Sequence, residues 1–369
     1  MVNQLPVDEF LEKAKTLPVI DVRSPGEYEH AHIPGAVNIP LFDNDERALV
    51  GTKYKNAGKD SAVLLGLDLV GPKLAGFVKG SKKLNPQTKE VLVHCWRGGM
   101  RSGSFAWLLQ TAGLTPATLE GGYKAYRNTV LPAFAEPRNL IILGGKTGSG
   151  KTDILKELAR QGEQIIDLEG LAHHKGSTYG AIGQLPQPAT EQFENLIFSE
   201  WRTLNRNDWS ESPLRPVRRS DTGTSPGAGL PTRRIWIEDE SRNVGSCFVP
   251  MPLWQQMRAA PVAFVDVPKA VRVQRLVTEY TGIDHNLLVE ATARISKRLG
   301  GKVTKDALDA LTRNDYATVA DLTLDYYDKA YLHGLSQRDP ATVNRLEITD
   351  DNPDETARRL IGWANSQRI

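Results

Sequence analysis

The feature that most restricts the fold of this chain is a glycine-rich turn between an apolar strand and a helix. Residues 139–143 predict a buried strand, residues 145–152 fit the pattern G-x-x-x-x-G-K-[ST], and Leu155 and Leu158 continue as one face of a helix. In this setting, backbone N–H groups and the helix N-terminus bind phosphate oxygens, and a lysine neutralises them. The sequence therefore predicts an α/β fold with a phosphate site at Gly145, Gly148, Ser149, Gly150, Lys151 and Thr152.

A second strand-to-helix turn carries a cysteine. Residues 91–93 predict a short buried strand, Cys95 follows at its end, and Gly98 allows the tight bend before the next helix. Such a loop directs backbone N–H groups inward and makes an anion cradle. Flanking arginines lower the pKa of a thiol, and the thiolate is the nucleophile. We therefore predict catalytic roles for Cys95, Arg97 and Arg101.

Length and cysteine usage limit the class of protein. A chain of 369 residues favours two domains, which we place at residues 1–135 and 138–369. Cys95 and Cys247 provide no disulfide framework, which favours a reducing compartment. The chain shows no signal segment, and we expect no run approaching the roughly 18 apolar residues of a membrane span. We therefore expect a cytoplasmic protein without a membrane partner.

Polar residues follow the other predicted strands of the second domain. Asp167 and Glu169 come after one strand, and Glu238, Asp239 and Glu240 end the next. Carboxylates at strand ends beside a phosphate loop orient Mg²⁺ or a catalytic group. We predict a magnesium or substrate role at this edge and no tight structural metal site.

The net charge of +2 does not by itself indicate a nucleic-acid partner, but its distribution is uneven. Residues 268–304 hold seven basic and three acidic side chains. They form either an anion-binding surface or an ordinary solvated helix face. Residues 205–234 are rich in Ser, Pro, Gly and Arg and predict a mobile surface loop.

The N-terminal motifs resemble the rhodanese domain. They comprise Asp21-Val-Arg23, Glu27-Tyr28, residues 32–36 and residues 38–40. The resemblance implies a small, mostly parallel α/β domain with Cys95 reactive at a strand end, and Asp21 and Arg23 as a structural charged pair. Residues 41–87 exceed a minimal domain of this kind, and we expect them to serve a specialised substrate.

The spacing of the cysteine loop leaves its chemistry open. Five residues separate Cys95 from Arg101, which also fits the cysteine-phosphatase pattern. A loop of this length can hold a tetrahedral phosphate-sized anion. Cys95 could therefore attack phosphorus, or accept a chalcogen from a phosphate-bearing donor.

The order of the two domains resembles the tRNA 2-selenouridine synthase family over nearly the whole chain. The agreement lies in residues 94–102, 120–127, 166–177, 238–241 and 294–301 and in the phosphate loop. The resemblance implies replacement of sulfur by selenium in wobble 2-thiouridine of tRNA, with selenophosphate as donor and S-geranylation by geranyl diphosphate on the way.

Site roles follow from this resemblance. The diphosphate is expected at Lys151 and Thr152 with Mg²⁺, and selenophosphate at the cysteine loop, where Cys95 would attack selenium or hold it as a perselenide. The tRNA backbone is expected at Arg294, Lys297 and Arg298. The loop 205–234 would be an insertion without a catalytic part.

Two alternatives remain open from the residues alone. One is a rhodanese-fold phosphatase or sulfurtransferase fused to an ATP-using kinase-like domain. The other is a tRNA- or nucleotide-binding regulator in which the phosphate loop acts as a switch.

Overall fold

The structure, a computed structural model, describes residues 2–204 and 234–367. The chain divides into two compact units, Met1–Ala133 and Phe134–Ile369. Each contains a parallel sheet with helices, so the predicted α/β class is confirmed. The predicted mobile loop 205–234 lies, except for Arg234, outside the described residues.

The first unit is built on a five-stranded sheet in the order β1-β5-β4-β2-β3, in which every neighbouring pair is parallel. Its strands are β1 (Asn3–Leu5), β2 (Val19–Asp21), β3 (Val37–Asn38), β4 (Glu90–His94) and β5 (Thr115–Leu119). Its helices are α1 (Val7–Lys13), α2 (Pro25–His30), α3 (Asn44–Val70), α4 (Leu74–Leu84), α5 (Met100–Thr111) and α6 (Gly122–Ala133).

Helices α3 and α4 account for the long stretch between the rhodanese motifs. The φ of Gly58 is +80°, which bends α3, and a 3₁₀ turn at Gly71–Lys73 joins α3 to α4. Contrary to the sequence expectation, one 18-residue window here has a mean hydropathy of 1.5, and by length and composition alone Asn44–Leu84 could cross a membrane. Only 17% of that window is buried, so this unit presents an unusually apolar surface.

The second unit has five parallel strands in the order β12-β11-β6-β8-β7. They are β6 (Leu140–Gly145), β7 (Gln164–Ile166), β8 (Ile235–Glu238), β11 (Val262–Asp266) and β12 (Val343–Glu347), and a two-stranded hairpin adds β9 (Asn243–Val244) and β10 (Cys247–Phe248). Because β8 pairs directly with β6, its acidic carboxyl end lies beside the phosphate loop.

Ten helices are described in the second unit. They are α7 (Lys151–Arg160), α8 (Leu168–Ala172), α9 (Thr190–Thr203), α10 (Met251–Ala259), α11 (Lys269–Thr281), α12 (His285–Arg294), α13 (Ser296–Leu299), α14 (Gly301–Thr312), α15 (Tyr316–Ser336) and α16 (Pro353–Ser366). Helices α12 and α13 are separated at Ile295. That residue is 2% exposed and belongs to the same buried cluster as Leu288, Leu311 and Leu324.

Candidate functional site

Cys95 lies directly after β4, at the carboxyl end of the sheet, and the turn at Gly98 has φ +63°. Its Sγ is 3.2 Å from Ser102 Oγ at the start of α5. Burial raises the pKa of the thiol, but hydrogen bonds from the Ser102 hydroxyl and from the backbone N–H groups of Ser102 and Arg97 outweigh that effect, with help from the charge of Arg101. The pKa of Cys95 is therefore below its ordinary value, and the thiolate is favoured.

The two arginines contribute less to this loop than the sequence suggested. The guanidinium of Arg101 donates to Glu27 Oε2 at 3.1 Å, so part of its charge is already balanced. The side chain of Arg97 is exposed, and this residue acts on the sulfur through its backbone N–H. Ser102 was not predicted as a site residue. Its position in the first turn of the helix that follows Cys95 could have indicated this role.

A Gly-Gly-Tyr segment supports the cysteine loop from behind. The N–H groups of Tyr123 and Lys124 donate to the carbonyls of Cys95 and Trp96 at 2.8 and 2.9 Å. A Cβ on Gly122 would lie 2.4 Å from the Cys95 oxygen, and the φ of Gly122 is +62°. The glycine is therefore needed for close backbone approach, which explains this segment of the sequence.

A buried charged layer underlies the loop. Arg23 and Asp21 form an ion pair of 2.6 Å with side chains 1% and 0% exposed, and the Arg23 guanidinium lies 3.9 Å from the centroid of the Tyr123 ring. His94 Nε2 is 3.6 Å from Asp21 Oδ2. Burial lowers the pKa of His94 to about 4, so the imidazole is neutral at pH 7. The pair predicted to be structural is buried, as expected.

A cavity of about 990 Å³ opens beside the loop, and Cys95 is part of its wall. Most of the wall is apolar and comes from α3, α4 and α5, including Val63, Leu67 and Trp107. The residues that exceed a minimal rhodanese domain thus form a large hydrophobic site next to the thiol.

The phosphate loop connects β6 to α7. Gly148 and Gly150 have φ of +77° and +76°, conformations that glycine adopts without strain. The Gly145 N–H donates to the Tyr331 hydroxyl at 3.0 Å, and Lys151 Nζ donates to the Gly145 carbonyl at 3.0 Å. Within residues 2–204 and 234–367, the buried Ser149 Oγ has no hydrogen-bond partner, which suits a ligand oxygen at this loop.

Two of the carboxylates predicted to bind magnesium or substrate form hydrogen bonds within the second unit. Asp239 accepts from Arg338 Nη2 at 2.6 Å and from Tyr331 at 2.9 Å. Asp167 caps α8 by accepting from the Gly170 N–H at 2.6 Å. Both therefore stabilise the local structure, Asp239 through both carboxylate oxygens and Asp167 through Oδ1.

The carboxylates that reach the phosphate loop are Glu169 and Glu240. Thr152 Oγ1 donates to Glu169 Oε2 at 3.0 Å. Burial, then the neighbouring Glu169, raises the pKa of Glu240 well above its ordinary value, and Lys151 opposes this rise. Burial also raises the pKa of Glu238, which accepts from the Leu168 N–H at 2.9 Å. A hydrogen bond between the side chains of Glu169 and Glu240 also raises the pKa of Glu240, so the arrangement favours a proton on Glu240 next to Lys151 and Thr152.

The predicted tRNA-binding residues lie on α12 and α13. Lys297 and Arg298 are exposed, and Arg298 Nη1 donates to Tyr326 at 3.4 Å. Arg294 is 59% exposed and lies 3.7 Å from Glu290. Three other basic residues of the 268–304 segment form ion pairs inside the second unit, namely Lys269, Arg272 and Arg275. The basic excess is therefore concentrated near α13.

Known protein families match both units of the chain. A family model described as tRNA 2-selenouridine synthase AAA domain matches residues 138–214 and 229–350, and a rhodanese-like domain model matches residues 6–129. The chain belongs to the tRNA 2-selenouridine synthase family. Its predicted membership and its fold class, a rhodanese-like domain followed by a P-loop-like domain, are confirmed. The match to the first model leaves out residues 215–228, inside the predicted insertion.

The chain is also similar to individual proteins and solved structures. A curated tRNA 2-selenouridine synthase from Nitrosomonas europaea is 29% identical over 375 residues, covering 87% of this chain and 90% of the relative. The crystal structure of the N-terminal domain of a proposed ATP/GTP binding protein from Clostridium difficile 630 is 44% identical and covers 36% of this chain and 99% of that one, with a TM-score of 0.33. A rhodanese-related protein from Thermoplasma volcanium is 20% identical, covers 34% and 92% of the two chains, and has a TM-score of 0.22.

Proposed function

We propose that this protein replaces the sulfur of wobble 2-thiouridine in tRNA by selenium, through an S-geranylated intermediate. Family membership makes it an enzyme that modifies tRNA, of the transferase type. The observation that carries the finer proposal is a hydrogen-bonded Cys95 whose pKa lies below its ordinary value, in a loop of phosphate-binding length and in a chain that also holds a phosphate loop. Selenophosphate and geranyl diphosphate are the co-substrates that suit these two anion sites.

Prenyl transfer is assigned to the second unit. Lys151 and the N–H groups at the start of α7 hold the diphosphate of geranyl diphosphate. The thiouridine sulfur forms a bond to the geranyl carbon, and the carbon–oxygen bond breaks with its electron pair leaving on diphosphate. Thr152, Glu169 and Glu240 offer the oxygen ligands that Mg²⁺ prefers. Bound Mg²⁺ would neutralise charge on the leaving diphosphate.

Selenium release is assigned to the cysteine loop. Attack of Cys95 on selenium would expel phosphite or need an oxidant, so we favour attack on phosphorus. The sulfur–phosphorus bond forms, the phosphorus–selenium bond breaks, and hydroselenide leaves with the electron pair. The N–H groups of Arg97 and Ser102 stabilise the negative charge at this loop. Water then hydrolyses the S-phosphocysteine to phosphate and free thiol.

Exchange at the nucleoside completes the cycle. Hydroselenide adds to C2 of the S-geranylated base, the C2–sulfur bond breaks, and geranyl thiolate leaves and takes a proton from water. S-alkylation makes the sulfur a better leaving group, which is why geranylation precedes exchange. Exposed Lys297 and Arg298 suit contact with the tRNA backbone, and the cytoplasm suits a thiol that must stay reduced.

The test uses purified full-length protein and an anticodon stem-loop RNA with wobble 2-thiouridine. Nucleoside mass spectrometry should detect the S-geranyl product with geranyl diphosphate and Mg²⁺, and 2-selenouridine after selenophosphate is added. Lys151→Ala should lose the first product, with Lys156→Ala as its control. Cys95→Ser should lose the second, with Cys247→Ser as its control.

Two results would contradict the proposal. One is absence of both products with the wild-type protein. The other is turnover of a simple aryl phosphate that depends on Cys95 in a protein that forms no 2-selenouridine from selenophosphate and S-geranylated RNA, which would favour the phosphatase alternative. In the selenophosphate arm, a trapped Cys95 adduct should carry a phosphoryl group and lack the isotope pattern of selenium.

A further inference from the structure

The wall of the cavity beside Cys95 is more apolar than binding of a nucleobase or a phosphate alone would require. Its wall is formed mainly by carbon atoms of α3, α4 and α5, while the thiol lies at one part of it. Several apolar side chains around it face solvent, among them Leu67 at 62%, Trp107 at 63% and Met100 at 58% exposed. Exposed apolar surface of this extent next to a reactive group is typical of a surface that binds a ligand, a membrane or another protein.

Charge around the cavity narrows the choice of ligand. The charged side chains along its wall are all cationic, namely Arg47, Lys55, Lys59, Arg97 and Arg101, and no carboxylate is among the described lining residues. Arg47 and Arg101 approach Glu27, which leaves Lys55, Lys59 and Arg97 as exposed positive charges. An apolar cavity with a cationic rim is complementary to a hydrocarbon chain that is attached to a polyanion.

We propose that this cavity holds the S-linked prenyl chain of the modified tRNA while selenium replaces sulfur beside Cys95. The inference rests on the proposed function and adds to it a location for the hydrocarbon in the first unit. The rim lysines contact phosphates of the RNA, and α3, α4 and α5 enclose the chain. Departure of the geranyl thiolate then takes place within reach of the loop that releases hydroselenide.

The size of the cavity agrees with a prenyl chain of about ten carbons. A cavity of about 150 Å³ with an apolar lining holds a benzene ring. The 990 Å³ present here leaves room for a branched chain of that length together with the thiolated base. Since each buried methylene contributes roughly fourfold in affinity, a chain of half the length should bind far more weakly.

The experiment measures selenation of an anticodon stem-loop RNA that already carries S-geranyl-2-thiouridine, with selenophosphate and full-length protein. Leu67→Glu places a carboxylate in the hydrocarbon site at an exposed position, where it does not disturb the core. We expect KM for this RNA to rise by roughly tenfold or more, with little change in kcat. The matched control is Leu64→Glu, on the same helix and 66% exposed but outside the cavity wall, which should keep the wild-type KM.

A chain-length series gives an independent measure. RNAs with S-dimethylallyl, S-geranyl and S-methyl groups should show KM values that increase as the chain shortens for the wild type, and this dependence should flatten in Leu67→Glu. Equal KM for the three RNAs, or equal KM for Leu67→Glu and Leu64→Glu, overturns the inference. Folding of both variants is checked by the alkylation rate of Cys95 with iodoacetamide.

The outcomes separate this inference from the function it rests on. If wild-type protein forms neither product from 2-thiouridine RNA, the proposed function fails. If it forms both while Leu67→Glu selenates normally, only the location of the chain is wrong. Sedimentation with anionic phospholipid vesicles tests a membrane as the other occupant: vesicle binding lost in Leu67→Glu with unchanged selenation would assign this surface to lipid.

Discussion

The backbone N–H of Tyr123 donates a hydrogen bond of 2.8 Å to the carbonyl of Cys95. This contact holds the backbone of Cys95 while Ser102 contacts its Sγ, so residues at the starts of both α6 and α5 position the nucleophile. It depends on Gly122, because a side chain there would collide with the same carbonyl.

We therefore expect Gly122→Ala to displace the cysteine loop. Strain at φ +62° together with the collision should lower the unfolding free energy by about 1–3 kcal/mol and slow alkylation of Cys95. The control is Gly103→Ala on α5, where a Cβ would meet nothing within 4 Å. Unfolding in urea and iodoacetamide kinetics measure both effects; equal stability of the two variants would contradict this account.

Removal of the Ser102 hydroxyl should raise the pKa of Cys95. That hydroxyl stabilises the thiolate, so its removal should increase the fraction of Cys95 in the thiol form at neutral pH. The pH profile of alkylation should shift to higher pH in Ser102→Ala, and the rate at pH 7 should fall several-fold. Ser104→Ala, whose hydroxyl bonds only to backbone carbonyls among its described partners, should keep the wild-type profile. A profile unchanged in Ser102→Ala would show that the backbone N–H groups suffice.

His94 should make the first unit sensitive to acid. The unfolded imidazole takes up a proton near pH 6.5, while the buried one does so only near pH 4. The unfolding free energy should therefore decrease as pH falls through this window, by up to about 3 kcal/mol, and His94 should add nothing further below it. Amide hydrogen exchange of β4 in the full chain measures this.

His94→Asn removes this titration and should flatten the pH dependence. Burial also lowers the pKa of His32, so the difference between wild type and His94→Asn, rather than the wild-type curve alone, isolates His94. Identical slopes for the two proteins would mean that His94 is protonated as easily folded as unfolded.

Cation binding at the phosphate loop should release a proton. Burial and the neighbouring Glu169 raise the pKa of Glu240 and favour its protonated form, whereas a bound cation favours the charged carboxylate. Affinity for Mg²⁺ with diphosphate should therefore increase with pH, with release of about one proton in calorimetry across buffers of different ionisation enthalpy. Glu240→Gln should abolish the release and Glu157→Gln should not. A buffer-independent enthalpy for the wild type would contradict the shared proton.

Asp239 should matter more for stability than for metal binding. Arg338 has a side-chain exposure of 0% and relies on Asp239 for its ion pair. Asp239→Asn leaves that charge poorly compensated and should cost about 3–5 kcal/mol of unfolding free energy. Asp354→Asn, in an exposed pair with Arg358, should cost about 0–1 kcal/mol. A strong loss of Mg²⁺ affinity at full stability would instead make Asp239 a ligand.

Local motifs were predictable from the sequence, whereas contacts between distant segments were not. The Cys95 loop and the phosphate loop each lie within about ten residues, so glycine positions and strand pattern were sufficient. The sequence could not show that Glu240 lies beside Glu169, because the order of the strands decides that contact. It also could not show that Tyr331 forms hydrogen bonds with both Gly145 and Asp239, because these depend on the course of α15. The apolar wall of α3 was similarly hidden, since exposed and buried leucines look alike in sequence.

The acidic neighbours of Lys151 have a consequence for ligand choice inside a cell. Its ammonium already faces the Gly145 carbonyl and feels the charge of the Glu169–Glu240 pair. The positive charge of Lys151 is therefore partly balanced before any ligand binds. Free orthophosphate and other abundant small anions should bind this loop weakly for that reason. A polyphosphate with a chelated metal ion brings additional positive charge next to the carboxylates. The loop should therefore bind metal-chelated polyphosphates more tightly than metal-free ones.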